Sequence, residues 1–338
     1  MGNKIISPDV ARGSFNLEQG VSADMSELDI ALEHDGLATV KTPFTHEDFE
    51  RFRQQLMECI EECPAELAET FGKYDERRGS EFGYVRKDLE VDQLTGRQKE
   101  DPKHIMHFFE PAYPVWDKLM RRGPRPLRVL INSGRELERS FVNDVAQPTL
   151  DALATSGRRG DIRAVYPREM TRAMMRAVHY DEFEPFDDDG NLIPMNADVA
   201  KRHKDIGGIT FQGPVANNGS HSGFQANRHS LWDHEEHWVD HDSVSGEAQV
   251  FFGRAHRKVF GYDEDLPHRV RRVIPADKEV ALADGRLVMS EKGRLVVPAR
   301  TALILFYDMP LVDARVSKEE TLGTLSAEQL RDVGENVA

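Results

Sequence analysis

One short run in this chain has residue types and a spacing that could hold a metal ion, His203-Lys204-Asp205. In a β-strand the side chains of residues i and i+2 lie on the same face, so His203 and Asp205 can reach a single ion. Such a triplet also occurs by chance in many proteins, and by itself it favours a surface histidine and aspartate. The interpretation therefore depends on a third ligand elsewhere in the chain.

A second histidine in a suitable setting is His268, which follows Leu266-Pro267 and begins a predicted strand. Two histidines and one carboxylate on one face of an octahedral ion leave three positions open. Non-haem Fe(II) oxygenases use that arrangement to bind a cosubstrate together with O2. We predict a metal site of His203, Asp205 and His268, with no further catalytic group.

An arginine begins an apolar run near the end of the chain, where Arg300 precedes Thr301-Ala302-Leu303-Ile304-Leu305-Phe306. A guanidinium at the head of a buried strand needs an anion, and a carboxylate suits its planar fork. Arg300 is therefore the predicted anion-binding residue. Arg271, Arg272 and Arg294 stay open as alternatives.

The elements that position these residues change in character along the chain. After about residue 160, short runs rich in Val, Ile and Phe alternate with turn residues, which favours a β-sandwich or barrel. The predicted strands are 176–180, 208–211, 248–252, 280–282, 294–297 and 301–306, with a hairpin turn at Asp284-Gly285.

The earlier part of the chain is predominantly helical in pattern. We expect an extended arm over 1–24, a helical support layer over 25–160, and a β core over 161–310. Within these, we predict loop with at most brief strands for 73–103 and a lid-like insertion for 213–247. A C-terminal tail follows over 311–338, and the whole chain is interpreted as one domain. In the helical layer, Pro124, Pro126 and Pro148 are expected to end or kink helices.

In the order of its elements and in its motifs, the chain resembles the isopenicillin N synthase-like branch of the 2-oxoglutarate/Fe(II) oxygenases. The motifs are Arg-Ala-Val-His-Tyr ending at Tyr180, His-Lys-Asp, Pro-His-Arg-Val and Arg-Thr-Ala from Arg300. The resemblance implies a mostly β protein with a double-stranded β-helix, or jelly-roll, core. It also implies Fe(II) on His203, Asp205 and His268, and 2-oxoglutarate as cosubstrate with its distal carboxylate on Arg300, near Tyr180.

The chain departs from that family in two places. Arg300 lies further beyond His268 than is usual, which a hairpin inserted around Asp284-Gly285 would explain, and Ala302 stands where the family has serine. The resemblance implies O2-dependent oxidation of an unactivated C–H bond by hydroxylation, desaturation or cyclisation. Because the chain has no nucleic-acid or membrane signature, we expect a small-molecule substrate. We place this activity in amino-acid or secondary metabolism. Because of the departures, an Fe(II) oxidase that does not use 2-oxoglutarate stays open.

Other histidines and pocket residues give competing interpretations. His234, His237 and His241 would share one face of a helix, which keeps a zinc-dependent hydrolase open, although Trp238 stands where the glutamate of HExxH should be. His256 is an alternative second iron ligand, and His268 is preferred because its context matches the family better. The predicted substrate-pocket residues are Arg228, His104 and Phe211.

Composition limits the classes that remain. A formal charge of -15 over 338 residues repels phosphate backbones, so we expect no nucleic-acid partner. The two cysteines, Cys59 and Cys63, fit buried thiols in a reducing compartment. No signal-like start and no long apolar stretch appear, so we expect a cytoplasmic protein with no membrane partner. The oligomeric state is not predicted.

Overall fold

The computed structural model describes residues 22–66, 83–91, 98–110, 113–156, 162–167, 172–186, 198–205, 207–217, 223–227, 238–241, 246–260, 265–271, 277–290 and 292–308. The helices are α1 (Ser22–Asp35), α2 (His46–Glu62), α3 (Pro64–Glu66), α4 (Tyr113–Met120), α5 (Arg125–Ser140), α6 (Gln147–Ser156), α7 (Ile162–Val165), α8 (Arg254–Phe260) and α9 (Lys278–Ala283). The strands are β1 (Leu37–Lys41), β2 (Tyr84–Val91), β3 (Gln98–Phe108), β4 (Arg172–Tyr180), β5 (Asp198–His203), β6 (Ile209–Asn217), β7 (Phe224–Asn227), β8 (Trp238–Asp240), β9 (Glu247–Phe252), β10 (His268–Arg271), β11 (Val288–Met289), β12 (Leu295–Val296) and β13 (Arg300–Asp308).

Two antiparallel sheets face each other and form a jelly roll. The large sheet has the strand order β1-β9-β6-β13-β4-β3-β2, and the small sheet has the order β5-β10-β7-β8. Apolar side chains of both sheets meet between them, including Val178 and Phe251 from the large sheet and Phe224 and Val270 from the small one. The predicted mostly β fold with a jelly-roll core is confirmed.

Alternation along the strands gives the large sheet two different faces. On β4, Met175 and Ala177 pack with the helices, whereas Val178 and Tyr180 pack toward the small sheet. Successive side chains of a strand point to opposite faces, so one strand contributes both to the helical core and to the space between the sheets. We call that space the inner space and the sheet surface that lines it the inner face.

The helical layer covers the other face of the large sheet. Along α2 the buried side chains Phe49, Phe52, Leu56 and Cys59 recur at helical spacing. Thr45 caps this helix, since its side chain accepts from the Asp48 backbone N–H while Asp48 accepts from the Thr45 backbone. The two cysteines are buried free thiols, as predicted.

Pro148 disturbs the helical layer as predicted. A π-helical segment, Phe141–Ala146, joins α5 to α6, which begins one residue before Pro148. A proline has no N–H to donate, and its ring crowds the carbonyl four residues earlier. Widening the preceding turn accommodates both effects, so the chain continues from α5 into α6 through a bulge.

Three local predictions are wrong. Loop was predicted for 73–103, but most of 84–108 forms β2 and β3, two long strands of the large sheet. The charged sequence indicated loop, whereas backbone hydrogen bonds between β2, β3 and β4 hold the chain extended. Residues 280–282 belong to α9, capped by Asp277, since a short apolar run does not by itself separate helix from strand. A hairpin does separate His268 from Arg300, but it is β11–β12, and it turns at 290–294 rather than at Asp284-Gly285.

The interval 25–160, for which a helical layer was expected, thus also contributes β1, β2 and β3 to the large sheet. Most of the predicted arm, much of the lid-like insertion and the tail over 311–338 lie outside the described residues. Within the described residues, no helix has the length and apolar character needed to cross a bilayer.

One acidic side chain is buried within the helical layer. Glu138 on α5 is only 4% exposed and accepts a hydrogen bond from the Tyr113 hydroxyl. Burial raises the pKa of Glu138 to about 7, against an ordinary value of 4.5. The folded protein therefore holds a proton on Glu138 at pH values where the unfolded chain has released it.

This difference predicts a pH-dependent stability. Because the folded pKa is raised, the stabilising contribution is complete below pH ~4.5 and is lost as pH rises through about 7. At 1.36 kcal/mol per pKa unit, the effect amounts to roughly 3 kcal/mol. Between pH 5 and pH 8, the free energy of unfolding of the wild type should fall by roughly 2 kcal/mol more than that of Glu138→Gln, measured by urea denaturation.

Glu136→Gln, an exposed change on the same helix, is the matched control and should follow the wild type. Equal pH dependence in the wild type and Glu138→Gln would contradict the prediction.

Candidate metal centre

The three residues predicted as metal ligands come together at one edge of the inner space. His203 ends β5, Asp205 lies just beyond it, and His268 begins β10, directly opposite His203 in the strand register. The Nε2 atoms of both histidines lie 3.6 Å from Asp205 Oδ1. One ligand atom from each residue lies within 4.8 Å of the others, the only such group among the described residues.

The surroundings of this cluster are asymmetric. Asp205 and His268 are buried, whereas the side chain of His203 is 47% exposed. An ion held here would be enclosed by protein on one side and reachable from the side of His203. Two imidazole nitrogens and one carboxylate oxygen are a donor set that fits Fe(II) with open coordination positions.

The two oxygens of Asp205 have different partners. Oδ1 faces the histidines, and Oδ2 accepts a 2.6 Å hydrogen bond from the Thr210 hydroxyl on β6. Burial opposes ionisation of this carboxyl, yet His268, His203, Thr210 and Arg176 together hold its pKa below the usual range. Asp205 is thus an ionised carboxylate with one oxygen oriented by protein and the other directed at the two histidines.

His268 is oriented from its other side. Its Nδ1 lies 3.1 Å from the Leu266 carbonyl oxygen, which fits an N–H donated there and leaves the lone pair on Nε2. Burial lowers the pKa of His268 to about 4, and the neighbouring His203 adds to that effect. A neutral imidazole with its free nitrogen toward Asp205 is the form that binds metal ions.

The loop that carries Asp205 packs tightly against the start of α8. The backbone N–H groups of Gly253, Arg254 and Ala255 donate to the carbonyls of Gly208, Asp205 and Gly207. A Cβ placed on Gly253 would lie 2.3 Å from the Gly207 oxygen and 2.9 Å from the Asp205 oxygen. Glycine at 253 is therefore required for this close approach.

An ion pair links the two ligand-bearing segments. Lys204, between the two ligands of the first motif, donates to Asp265 at 2.9 Å, and Arg257 of α8 reaches the same oxygen at 3.2 Å. Asp265 is buried and stands shortly before His268. The contact fixes the His203–Asp205 segment relative to the approach to His268.

Arg300 and Tyr180 are neighbours on the inner face. They are register partners on β13 and β4, and Tyr180 in turn pairs with Lys103 on β3. The Arg300 guanidinium carbon and the Lys103 Nζ lie 5.7 and 5.9 Å from the centre of the Tyr180 ring. All three residues are buried, so two cations flank one tyrosine in a row across three strands.

Among the described residues, the other arginines considered for the anion and the other histidine considered for the metal do not join these two groups. Arg294 sits on the exposed hairpin and pairs with Glu184, Arg271 extends from β10 in the small sheet, and Arg272 lies outside the described residues. His256 is fully buried, with its ring 3.7 Å from that of Phe252 and its Nδ1 3.1 Å from the Tyr166 hydroxyl. It packs with the helical side of the fold and takes no part in the cluster.

Two predicted pocket residues are corrected. Phe211 lies in the helical core, with its ring 6.3 Å from that of Phe141, because its neighbour Thr210 occupies the inner face. His104 lies on the face opposite to Ile105, where its Nδ1 is 2.7 Å from the Tyr84 hydroxyl and its Nε2 is 3.4 Å from Asp181. Neither side chain lines the inner space.

The third pocket candidate, Arg228, lies outside the described residues, as do His234 and His237. Sequence reasoning missed Thr210, Lys204, Asp265 and Gly253. Lys204 lies between the two ligands of the first motif, Thr210 follows Asp205 by five residues, and Asp265 precedes His268 by three. The contacts of these four residues join segments that are distant in sequence, or depend on which face of a strand a side chain occupies. No local sequence pattern indicates them.

Thr210→Val tests the hydrogen bond to Asp205. Removing the hydroxyl leaves Oδ2 without this donor and frees the carboxylate to rotate, so affinity for Fe(II) should fall by about 10–100-fold. Anaerobic titration against a chromophoric chelator measures it. Thr149→Val is the matched control, since Thr149 is also buried and donates to a backbone carbonyl, at Val145. Equal loss in both variants would count against the proposed role of Thr210.

Gly253→Ala tests the packing of the metal loop. The added methyl group meets backbone oxygens, which cannot rotate away, so the loop carrying Asp205 must shift. We expect weaker Fe(II) binding and a lower thermal midpoint. Gly123→Ala, where the nearest atoms lie 3.6 Å from the new Cβ, should change neither. Wild-type metal affinity in Gly253→Ala would contradict this account of the loop.

Comparison with known proteins identifies solved structures that share this fold. No family model and no curated protein matches the chain. A full-length Neurospora crassa protein, crystallised in complex with alpha-KG, is 13% identical, covers 94% of this chain and 93% of its own, and gives a TM-score of 0.62. A 2OG-Fe(II) oxygenase family protein from Caulobacter crescentus is 16% identical, with 96% and 99% covered and a TM-score of 0.60.

JOX2, in complex with 2OG, Fe and JA, is 16% identical, with 98% and 89% covered and a TM-score of 0.58. At such identities the likeness establishes the fold, and it extends over nearly the full length of the chains. The protein therefore has the jelly-roll fold found in 2-oxoglutarate- and Fe(II)-dependent oxygenases, with two histidines and a carboxylate clustered at the edge of its inner space.

Proposed function

We propose that this chain is an oxygenase that uses Fe(II), 2-oxoglutarate and O2 to oxidise an unactivated C–H bond of a small molecule. The observation that carries the proposal is the cluster of His203, Asp205 and His268, whose ligand atoms lie within 4.8 Å of one another. Its donor set is the two-histidine, one-carboxylate set of non-haem Fe(II) oxygenases. The shared fold adds support, although fold alone does not fix function.

The residues for the cosubstrate are Arg300 and Tyr180. A buried guanidinium 5.7 Å from the centre of a tyrosine ring suits the distal carboxylate of 2-oxoglutarate, which can take two parallel hydrogen bonds from Arg300. Lys103, on the far side of Tyr180, adds positive charge to the same row. Ala302 offers no hydroxyl in place of the family serine, so the distal carboxylate is left to Arg300, Tyr180 and Lys103.

The chain and its bound groups have separate tasks. Iron and 2-oxoglutarate, when bound, supply the redox chemistry that activates O2. His203, Asp205 and His268 would hold the metal, and Thr210 keeps Asp205 oriented. The apolar side chains between the sheets exclude water, which strengthens polar contacts to the bound molecules.

A small-molecule substrate agrees with two observations. The acidic net charge of -15 disfavours nucleic acid. Solved neighbours include the Neurospora crassa protein with thymine and with 5-formyluracil, and JOX2 with JA. We propose a role in amino-acid or secondary metabolism, in which hydroxylation, desaturation and cyclisation would share the same metal site and differ in how the substrate is oriented.

The zinc-hydrolase alternative loses its structural basis in the described part of its segment. It needs a helix across His237 and His241 to bring the histidines onto one face. Trp238–Asp240 is instead strand β8, hydrogen-bonded to β7. The described part of the segment therefore does not form the helix that an HExxH arrangement requires.

Anaerobic titration with Fe(II) and then 2-oxoglutarate tests the proposal through the visible charge-transfer band of the bidentate chelate. We expect the band in the wild type and its loss in His203→Ala. Arg300→Gln should require at least about tenfold more 2-oxoglutarate, since a charge-assisted pair is lost. Arg294→Gln, which removes an exposed arginine paired with Glu184, is the matched control and should behave as the wild type.

Iron binding without any band would remove the cosubstrate and favour an Fe(II) oxidase that takes its electrons from the substrate. Metal binding that survives His203→Ala would overturn the metal assignment. An Arg294→Gln defect with a normal Arg300→Gln would move the cosubstrate site to the hairpin.

A further inference from the structure

A second arginine lies on the inner face, nearer to the metal cluster in strand register than Arg300. Arg176 on β4 pairs with Ile304 on β13, and it shares the inner face with Val178 and Tyr180. Its guanidinium carbon stands 4.8 Å from the centre of the Phe306 ring. Arg176 is partly buried, so its charge lies at the border between the protein interior and the inner space.

A continuous set of contacts leads from Arg176 to the metal ligands. Phe306, on which the guanidinium stacks, is the register partner of Thr210 on β6, and Thr210 donates to Asp205. Residues opposite each other on neighbouring strands lie side by side on one face. Arg176 is also close enough to Asp205 to contribute to the lowered pKa of that carboxyl, after burial and the effects of the two histidines and Thr210.

The orientation of Arg176 is fixed by His107. The Arg176 Nε donates to His107 Nε2 at 3.0 Å, and His107 Nδ1 lies 3.0 Å from the Gly83 carbonyl oxygen. Both contacts agree with a neutral imidazole that carries its proton on Nδ1 and accepts at Nε2. The imidazole therefore occupies the side of the guanidinium nearest the chain, and the two terminal nitrogens form the outer edge.

We propose that Arg176 binds the carboxylate of the substrate, and that the substrate is a small carboxylic acid with an apolar body. This inference rests on the proposed function and assigns a substrate class to the same site. The outer edge of a guanidinium matches a carboxylate in a bidentate pair, and the substrate would exchange for the contacts that those nitrogens make in the free protein.

Charge favours an acid over a neutral compound. Fe(II), Asp205 and the dianion of 2-oxoglutarate together would carry one negative charge, whereas Arg300 and Lys103 on the same face carry two positive charges. Arg176 adds a third positive charge to this face, which favours an anionic substrate over a neutral one. A carboxylate substrate reduces the positive excess, and an amide does not.

The neighbouring surface fits an apolar body. Phe306, on which Arg176 stacks, and Ile304, the register partner of Arg176, are only partly buried and lie on the inner face. A molecule with its carboxylate on Arg176 would thus lie against aromatic and aliphatic side chains beside the metal. Substrate sites are commonly apolar with a few polar groups that set orientation.

The test measures binding rather than turnover. Protein loaded anaerobically with Fe(II) and saturating 2-oxoglutarate is titrated calorimetrically with phenylacetate and phenylacetamide, and with hexanoate and hexanamide. Saturation with 2-oxoglutarate keeps the acids from Arg300. At least one acid should bind about tenfold or more tightly than its amide, as expected for a charge-assisted pair.

Arg176→Met, which keeps an apolar stem, should abolish the preference for acid over amide, and Arg176→Lys should retain part of it. Arg135→Met is the matched control, because Arg135 also stacks on an aromatic ring, 4.3 Å from the centre of Tyr113, but lies in the helical layer. It should keep the wild-type preference. Thermal midpoints of all variants identify any loss of folding.

The outcomes separate the two proposals. If the chelate band forms and no acid binds more tightly than its amide, the inference is wrong and the proposed function stands. A preference that persists in folded Arg176→Met also overturns it and points to another cation such as Lys103. If no chelate band forms, the proposed function fails, and this assignment fails with it.

Discussion

The site depends on keeping one carboxylate ionised in a buried position between two imidazoles. Burying an isolated carboxylate in a protein costs on the order of several kcal/mol, and it is tolerated only when partners compensate. Around Asp205 these partners come from separate elements: His203 from β5, His268 from β10, Thr210 from β6 and Arg176 from β4. The jelly roll brings all four strands to one place, and a metal ion would complete the compensation.

The backbone around this carboxylate is held as firmly as its side chain. Three consecutive N–H groups at the start of α8 donate to the metal loop, and Gly253 allows that approach. The pair of Lys204 with Asp265 then ties the loop to the segment before His268. Asp205 and His268 are distant in sequence, and these backbone hydrogen bonds and this ion pair fix their positions relative to each other.

The two faces of the large sheet carry different sets of polar side chains. On the inner face lie Lys103, Tyr180 and Arg300. Directly behind them, His104 and His179 approach both oxygens of Asp181 at 3.4 and 3.5 Å, and His179 Nδ1 lies 2.7 Å from the Thr301 hydroxyl. Hydrogen bonds from His104 and His179 hold the pKa of Asp181 well below its usual range. This network joins the same three strands as the cationic row, and so it supports the register of that row.

The sequence by itself determined the β character of the second half of the chain, the proximity of His203 to Asp205, and the strand beginning at His268. His203 and Asp205 lie close together because only one residue separates them, although Asp205 lies in the loop beyond β5 rather than in a strand. The β character and the strand at His268 follow from local alternation, which acts over a few residues. The strand headed by Arg300 was predictable for the same reason. The family resemblance then supplied the jelly roll, which no local pattern specifies.

Only the tertiary structure decided which side of the sheet each residue faces. His104 and Phe211 were expected in the pocket, but strand pairing turned both away and brought Arg176, Lys103 and Thr210 inward. It also made strands of 84–91 and 98–108 and a helix of 278–283, against their local appearance. A shift of one residue in a strand exchanges its two faces, and register is set by hydrogen bonds and packing between segments far apart in sequence. That information is absent from any short stretch of the chain.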